Sequence, residues 1–409
     1  MYNIPLNALV VMVGPSGAGK STLIEALFSD HEVISSDAIR HELTGDFRNQ
    51  HVNNMVFTEF YRRIQNKIVL GERVIADATH LRKKDRLNTA ELGFNANIPV
   101  FYLVVNRPVD EKMKTGGWRL GVPDLIQKHE NLFQGQEKDI LSGDGKAIVI
   151  DTRKVLMDDI QVIKKFNFDD LGVDLRNRGY DQIQIIGDVH GMTNDFKAVI
   201  DDALDNNRMI IQLGDIVDYG PDSVGCLDLM YDLVLNGRGI FIIGNHERKL
   251  EKYFQQRAEG NIKVKVKGGL VATVNQLDSL TDEQYENVVQ KFTVLMNYSR
   301  HHCVIDGNTI FVHAGITNKM WNIAQNRLVG FEENRAVFGE VDGFREDGYP
   351  NRIYNWVDEL EAGKLAFVGH DIRNTDKPLT HNGKNGGKAV FVDTGSGKTG
   401  KLSSVILAI

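Results

Sequence analysis

Short apolar runs alternate with longer segments of helical period along the whole chain. In the first 150 residues the runs are Leu9–Val13, Val33–Ile34, Val74–Ala76, Val100–Val105 and Ala147–Ile150. Continuous apolar runs separated by helices predict a parallel sheet covered on both faces. Residues 51–70 predict a long helix that stops at Gly71, a C-terminal breaker. Beyond residue 181 six more runs follow: Ile183–Ile186, Met209–Leu213, Ile240–Ile243, Ile310–Val312, Ala366–Val368 and Ala389–Val392. Five of these six end directly on a candidate ligand motif, and strand ends are where α/β sheets place their sites. The polar stretch Asp151–Asp181 predicts a boundary, giving domains at 1–152 and 181–409 with a linker at 153–180. Gln255–Arg300 predicts an insertion, about 255–300, largely helical after Thr281 and capping the second site. The predicted class is α/β throughout.

A length of 409 residues fits two to three domains. Apolar content of 42% and charged content of 25% fit a soluble globular protein, and no apolar run approaches the ~18 residues of a membrane span. Met1–Asn7 has no positive n-region, so no secretory signal is expected. Cys226 and Cys303 cannot make a disulfide framework; they read as buried thiols in a reducing cytoplasm. The net charge of −7 argues mildly against a nucleic-acid partner. Carboxylates that hold metals would offset that argument, because bound ions reverse the local sign of a site. The basic clusters Arg82-Lys83-Lys84-Asp85-Arg86 and Lys263, Lys265, Lys267 read as solvated faces.

Gly14-Pro15-Ser16-Gly17-Ala18-Gly19-Lys20-Ser21-Thr22 follows the first long apolar run and precedes a helix. Glycines there let backbone N–H groups point at phosphate oxygens. Lys20 reaches the β/γ-phosphates, the Ser21 hydroxyl ligates Mg²⁺, and the helix N-terminus faces the anion. This predicts ATP and Mg²⁺ as cofactors. Gly397-Lys398-Thr399 lacks the upstream glycine of such a loop and reads as a turn between terminal strands.

The next run ends in Ser35-Ser36-Asp37, followed by Arg40. An aspartate facing the γ-phosphate can accept a proton from an attacking hydroxyl, and an arginine one turn on can grip a phosphate. The same spacing equally fits a helix N-cap with a surface arginine. Residues 8–150 resemble the polynucleotide 5′-hydroxyl kinase family of P-loop phosphotransferases. The resemblance implies that Asp37 is the general base and Arg40 grips the acceptor's 3′-phosphate. It matches Asp77-Ala78-Thr79-His80 to an Asp-x-Thr-Asn pattern, with His80 departing from Asn. It implies a cationic lid over Lys112, Lys114 and Arg119, with Arg119 clamping the transferring phosphate.

In the second half the strand-end residues are Asp188-Val189-His190, Gly214-Asp215-Ile216-Val217-Asp218, Gly244-Asn245-His246-Glu247, His313 and His370. Asp188 and His190, two apart, share a strand face. Mixed O and N donors of this kind suit two divalent ions about 3.5–4 Å apart, of the Mn²⁺, Fe or Zn²⁺ type. The order resembles the calcineurin-like binuclear metallophosphoesterases, with an αββα sandwich over 181–409. The resemblance implies one ion on Asp188, His190 and Asp215, and another on Asp215, Asn245, His313 and His370, with Mn²⁺ favoured. His246 would protonate the leaving oxygen while Asp218 holds its imidazole. Tyr219 stands where the family often has arginine, and Arg248 is a candidate replacement.

The two halves together resemble the kinase–phosphatase portion of bacterial polynucleotide kinase-phosphatases. That implies end healing: phosphorylation of 5′-hydroxyl ends and removal of 3′-phosphate or 2′,3′-cyclic phosphate. The implied partners are RNA or DNA ends and a separate ligase, with no membrane and a homodimer left open. The alternatives are a protein phosphatase or dinucleoside-polyphosphate hydrolase, joined to a small-molecule kinase.

Overall fold

A computed structural model describes residues 1–120, 123–323, 328–346, 350–398 and 400–409; the side chains of 115–120 and 123 lie outside that description. The chain divides into two compact units, Met1–Lys164 and Lys165–Ile409.

In the first unit five strands are parallel, in the spatial order Val33–Ser35, Val74–Asp77, Leu9–Val13, Val100–Val104, Ile148–Asp151. The central strand Leu9–Val13 is buried along its whole length because both faces are covered. Val11 and Val13 face Phe60, Ile64 and Phe133, while Val10 and Met12 face Ile24 and Phe28. Period-2 side-chain alternation thus explains why the run is continuously apolar. The helix Asn53–Val69 buries Val56, Phe60, Ile64 and Ile68, one stripe at helical spacing, and ends before Gly71 (φ 74°).

The stretch 153–180 is structured. Ile160–Val162 pairs in parallel with Tyr2–Ile4 in the first unit, and the helix Leu171–Asn177 buries Leu171 and Leu175 in the second.

The second unit holds a four-stranded sheet, ordered Gly239–Phe241, Met209–Gln212, Gln182–Ile186, Ser404–Ala408, and a five-stranded sheet, ordered His302–Ile305, Thr309–Val312, Leu365–Val368, Lys388–Phe391, Leu379–Asn382. One core cluster joins Ile183, Ile185 and Ile211 of the first sheet to Cys303, Phe311 and Phe367 of the second, so the sheets pack face to face. Helices cover both outer faces. The segment 255–300, expected as an insertion over the active site, contributes to one of these outer layers and also reaches the site, where Thr273 Oγ1 donates to Asp218 Oδ1 (2.7 Å) and Gly269 O accepts from the Tyr219 amide (3.1 Å). Leu270–Asp278 and Asp282–Tyr298 bury Leu277, Phe292 and Leu295 in the same core as Phe196 and Phe241. Both cysteines are buried and free. Among the described residues no helix is long and apolar enough to cross a membrane.

Candidate active sites

The first site lies at the C-terminal edge of the parallel sheet, where three neighbouring strands bring together the Gly14–Gly19 loop with Lys20 and Ser21 opening the next helix, Asp37 in the first turn of the helix Ser36–Thr44, and Asp77 at the end of its strand. Lys20 opens the helix Lys20–Leu27 behind left-handed Gly19 (φ 101°). Its ammonium donates to the Gly14 and Pro15 carbonyls (2.9 and 3.0 Å), so it is curled into the loop that would hold the phosphates. Neighbours brace the loop: Arg107 Nε donates to Gly17 O (2.7 Å), and His129 Nδ1 lies 3.0 Å from Ser16 Oγ. His129 is pushed down to about 4 by burial and then by Lys20, so it is neutral. Sequence reading missed both residues; they approach only through tertiary packing.

Asp37 is 51% exposed, and its carboxylate accepts from Arg40 at 2.6 Å. Arg40 is only 4% exposed and also donates to Phe47 O (3.1 Å) and Asn53 Oδ1 (3.0 Å). In this state the pair orients Asp37 and fastens the 46–53 turn. Of the expected lid cations, Lys112 is fully buried against Glu130 and Asn106, which removes it from the cleft surface. Lys114 is exposed, and the Arg119 side chain lies outside the described residues. His80 is buried under the sheet: its Nδ1–H donates to Met12 O (2.8 Å), and burial pushes it down to about 4.

In the second unit the loops after both sheets converge. Nδ1 of His190 donates to Val217 O (2.9 Å) and Nδ1 of His313 to Leu213 O (2.7 Å), which leaves each Nε2 as a donor to a metal. His313 Nε2 lies 3.3 Å from Asp215 Oδ2, 3.2 Å from Asn245 Oδ1 and 3.1 Å from His370 Nδ1. Two donor groups, His190–Asp215–His246 and Asp215–His313–His370, each lie within 4.8 Å and share Asp215. Asp188 is not in either group; its carboxylate accepts from the His370 amide (2.9 and 3.1 Å).

Burial, and then the charges of Asp393 and Asp215, push Asp188 well above the ordinary carboxylate range. Burial pushes His190 down to about 4 and His370 well below the histidine range. His370 Nε2 is buried without a hydrogen-bond partner. The imidazoles of His190 and His370, held toward neutrality, and the carboxylates crowded around Asp215 fit two divalent cations sharing Asp215. Such ions, when bound, supply an activated water and neutralise the phosphoryl group.

The remaining residues orient and move protons. His246 Nδ1–H donates to Asp218 Oδ2 at 2.5 Å, and Asp218 Oδ1 accepts from Thr273 Oγ1 at 2.7 Å. Burial opposes charging His246, yet Asp215 and Asp218 outweigh it and hold the imidazolium above the ordinary value. His246 is therefore oriented by Asp218 and holds its proton more readily than a free imidazole, with Nε2 turned away from Asp218, an arrangement that suits a general acid. Arg248, the candidate replacement for the absent arginine, is committed to Glu251 (2.7 Å) and Glu333.

Two site carboxylates escaped the sequence reading. Asp393 follows the sixth apolar run, so the strand-end rule applied uniformly would have found it. Glu247 is fully buried; it accepts from the amides of Asp215 (2.9 Å), Ile216 (2.9 Å) and Gly244 (3.0 Å). Burial, with Asp215 close by, pushes it up to about 7.

A family model described as an AAA domain matches residues 9–114, and one described as a calcineurin-like phosphoesterase matches residues 182–391. The chain belongs to the calcineurin-like phosphoesterase family. An asymmetrical bis(5′-nucleosyl)-tetraphosphatase, PrpE, of Oceanobacillus iheyensis is 30% identical over 235 residues, 54% of this chain and 87% of the relative. The protein of the same description from Bacillus mycoides is 26% identical over 234 residues, 54% of this chain and 88% of the relative. A solved metallophosphoesterase from Sphaerobacter thermophilus aligns at 20% identity and a TM-score of 0.33, covering 56% of this chain and 84% of that one. The phosphoesterase unit is thus joined to a kinase-like P-loop domain.

Proposed function

We propose that this chain heals broken nucleic-acid ends. The first unit transfers the γ-phosphate of ATP to a 5′-hydroxyl. The second removes a 3′-phosphate or opens and removes a 2′,3′-cyclic phosphate. One observation carries the reading: a phosphate loop sharing a sheet edge with an exposed, arginine-held carboxylate at Asp37 stands on the same chain as a binuclear-type phosphoesterase centre. In this reading the Asp37 carboxylate takes a proton from an acceptor hydroxyl. A kinase and a phosphatase acting on opposite ends together produce the 5′-phosphate and 3′-hydroxyl that ligation requires, so a separate ligase is the natural partner.

A second reading, dinucleoside-polyphosphate hydrolysis, draws on the PrpE relatives. One experiment separates them. A 5′-hydroxyl, 3′-phosphate RNA and its DNA twin are incubated with ATP and Mn²⁺ beside diadenosine tetraphosphate, and the products are resolved. End healing predicts radiolabel transfer to the 5′ end and release of 3′ phosphate. Absence of transfer, with rapid cleavage of the dinucleotide, rejects it in favour of the second reading.

A further inference from the structure

The turn at Gly395–Lys398 is pinned against the phosphoesterase centre. The Gly395 amide donates to Asp393 Oδ1 and the Ser396 hydroxyl to Val189 O, both at 2.8 Å. Gly397 (φ 73°) has no room for a side chain: a Cβ there would lie 2.7 Å from His190 Cβ and 3.3 Å from Tyr219 Cβ. These anchors deliver the next side chain, Lys398, over the Tyr219 ring, with its ammonium 4.7 Å from the ring centroid. That ring packs edge-on against His190 (4.9 Å) and lies 5.5 Å from His246. The ammonium therefore stands at the lip of the centre. Burial dominates the titration of Asp188, His190 and Asp393, and Lys398 is among the charges acting on all three.

Nearby arginines are occupied. Arg248 is held by Glu251 and Glu333, and Arg352 and Arg373 are held by Asp371. Lys398 is exposed and forms no ion pair within 4.0 Å among the described residues. Tyr219 contributes a π-face but no charge. A phosphomonoester dianion entering the centre thus meets, in Lys398, a cation with no ion-pair partner among the described residues.

We infer that Lys398, carried on Tyr219, binds the phosphoryl oxygens of the substrate at the phosphoesterase centre. The inference rests on phosphoesterase chemistry alone and not on which phosphate ester is the natural substrate. The ligand class is a phosphoryl group with free non-bridging oxygens, in an ester, an anhydride or inorganic phosphate. Lys398 acts in binding; His246 remains the proton donor.

The test uses the full-length Mn²⁺-loaded protein with Lys398→Ala and Lys398→Arg, after equal Mn²⁺ affinity is verified by calorimetry. Inorganic phosphate binding is measured by calorimetry. KM and kcat are measured with p-nitrophenyl phosphate, a 3′-phosphorylated oligonucleotide and diadenosine tetraphosphate. Lys398→Ala is expected to weaken phosphate binding and raise KM for every substrate turned over by about tenfold, the size of one charge-assisted contact, with a much smaller change in kcat. Lys398→Arg is expected to keep most of the affinity. Unchanged phosphate affinity in Lys398→Ala overturns the inference. So does a fall in kcat at constant KM, or a KM effect confined to one substrate among several that turn over. The p-nitrophenyl phosphate and phosphate arms stand even if nucleic-acid ends prove not to be the substrate.

Discussion

Replacing Glu247 by Gln tests how the phosphoesterase centre is held together. Oε2 accepts two backbone N–H groups, from Asp215 (2.9 Å) and Gly244 (3.0 Å), and Oε1 accepts one, from Ile216 (2.9 Å). A glutamine of the same shape keeps its oxygen on the doubly used site and turns its NH₂ toward Ile216 N–H. Above pH 7, where the Glu247 carboxyl is ionised, one charge-assisted bond is lost and two donors face each other in a dry interior. The lost bond accounts for about 1.5–3 kcal/mol and the buried unpaired donor for a further 1–3 kcal/mol, so the expected loss is about 3–5 kcal/mol. Those three amides fix the loops that carry Asp215, Asn245 and His246, so part of the loss appears as weaker metal binding. Urea denaturation of the metal-free protein reads the stability term. Calorimetric titration with Mn²⁺ reads the metal term, expected as a tenfold or larger weakening, in line with other residues that orient metal ligands. An unaltered unfolding midpoint together with wild-type Mn²⁺ affinity would refute the assignment of Glu247 as the clamp.

Lys20→Ala is expected to abolish phosphoryl transfer from ATP while leaving phosphate release by the second unit intact; separate assays of the two activities check this. Asp144→Asn breaks the buried pair in which Arg86 Nε and Nη2 donate to Asp144 (2.8 and 3.1 Å). Asp144 sits at φ 49°, which Asn tolerates, so the change isolates the charge. It is expected to cost about 3 kcal/mol in urea unfolding of the first unit's transition, since an unpaired buried guanidinium remains. His80 titrates near 4 in the fold against 6.5 when exposed. Between those values the unfolded chain binds a proton that the folded chain refuses, so stability falls as pH drops through this window, by about 1.4 kcal/mol per unit. His80→Asn is expected to remove its share of that slope between pH 6.5 and 4 and to leave the share of His129, which is also pushed down to about 4; an unchanged slope would remove His80 from the account.

Local pattern reveals what local physics dictates. The continuous apolar runs became buried strands because both sheet faces are covered, and the residues at their ends became loop residues at one edge. That is why the glycine loop, Asp215, Asn245, His313 and His370 were readable without a structure. What stayed hidden depends on packing between distant segments. Arg86 sits in a run of charges that reads as solvated, yet it is buried on Asp144, 58 residues away. Lys112 looks like a lid cation and is sequestered by Glu130. Glu247 follows the metal ligands in the sequence, but its backbone donors lie 31 and 32 residues upstream as well as nearby, a pattern no periodicity encodes. Lys398 lies in a turn whose composition announces only a turn; its position over Tyr219 comes from three anchors scattered across two sheets' loops.

His190, Asp215, Asp218, Tyr219 and His370 all adopt positive φ, between 51° and 75°, a region that L-residues visit rarely. Such dihedrals persist only where the surrounding chain enforces them. Incoming ions would therefore meet donors already aimed, with little reorganisation to delay loading. The converse applies on chelation: Asp215, held at φ 56°, is not free to turn away from Asp188 and Asp393. The second unit's durability is thereby tied to the free divalent-ion concentration, as for any protein whose ligand binds only the native form, and metal starvation would shorten its lifetime.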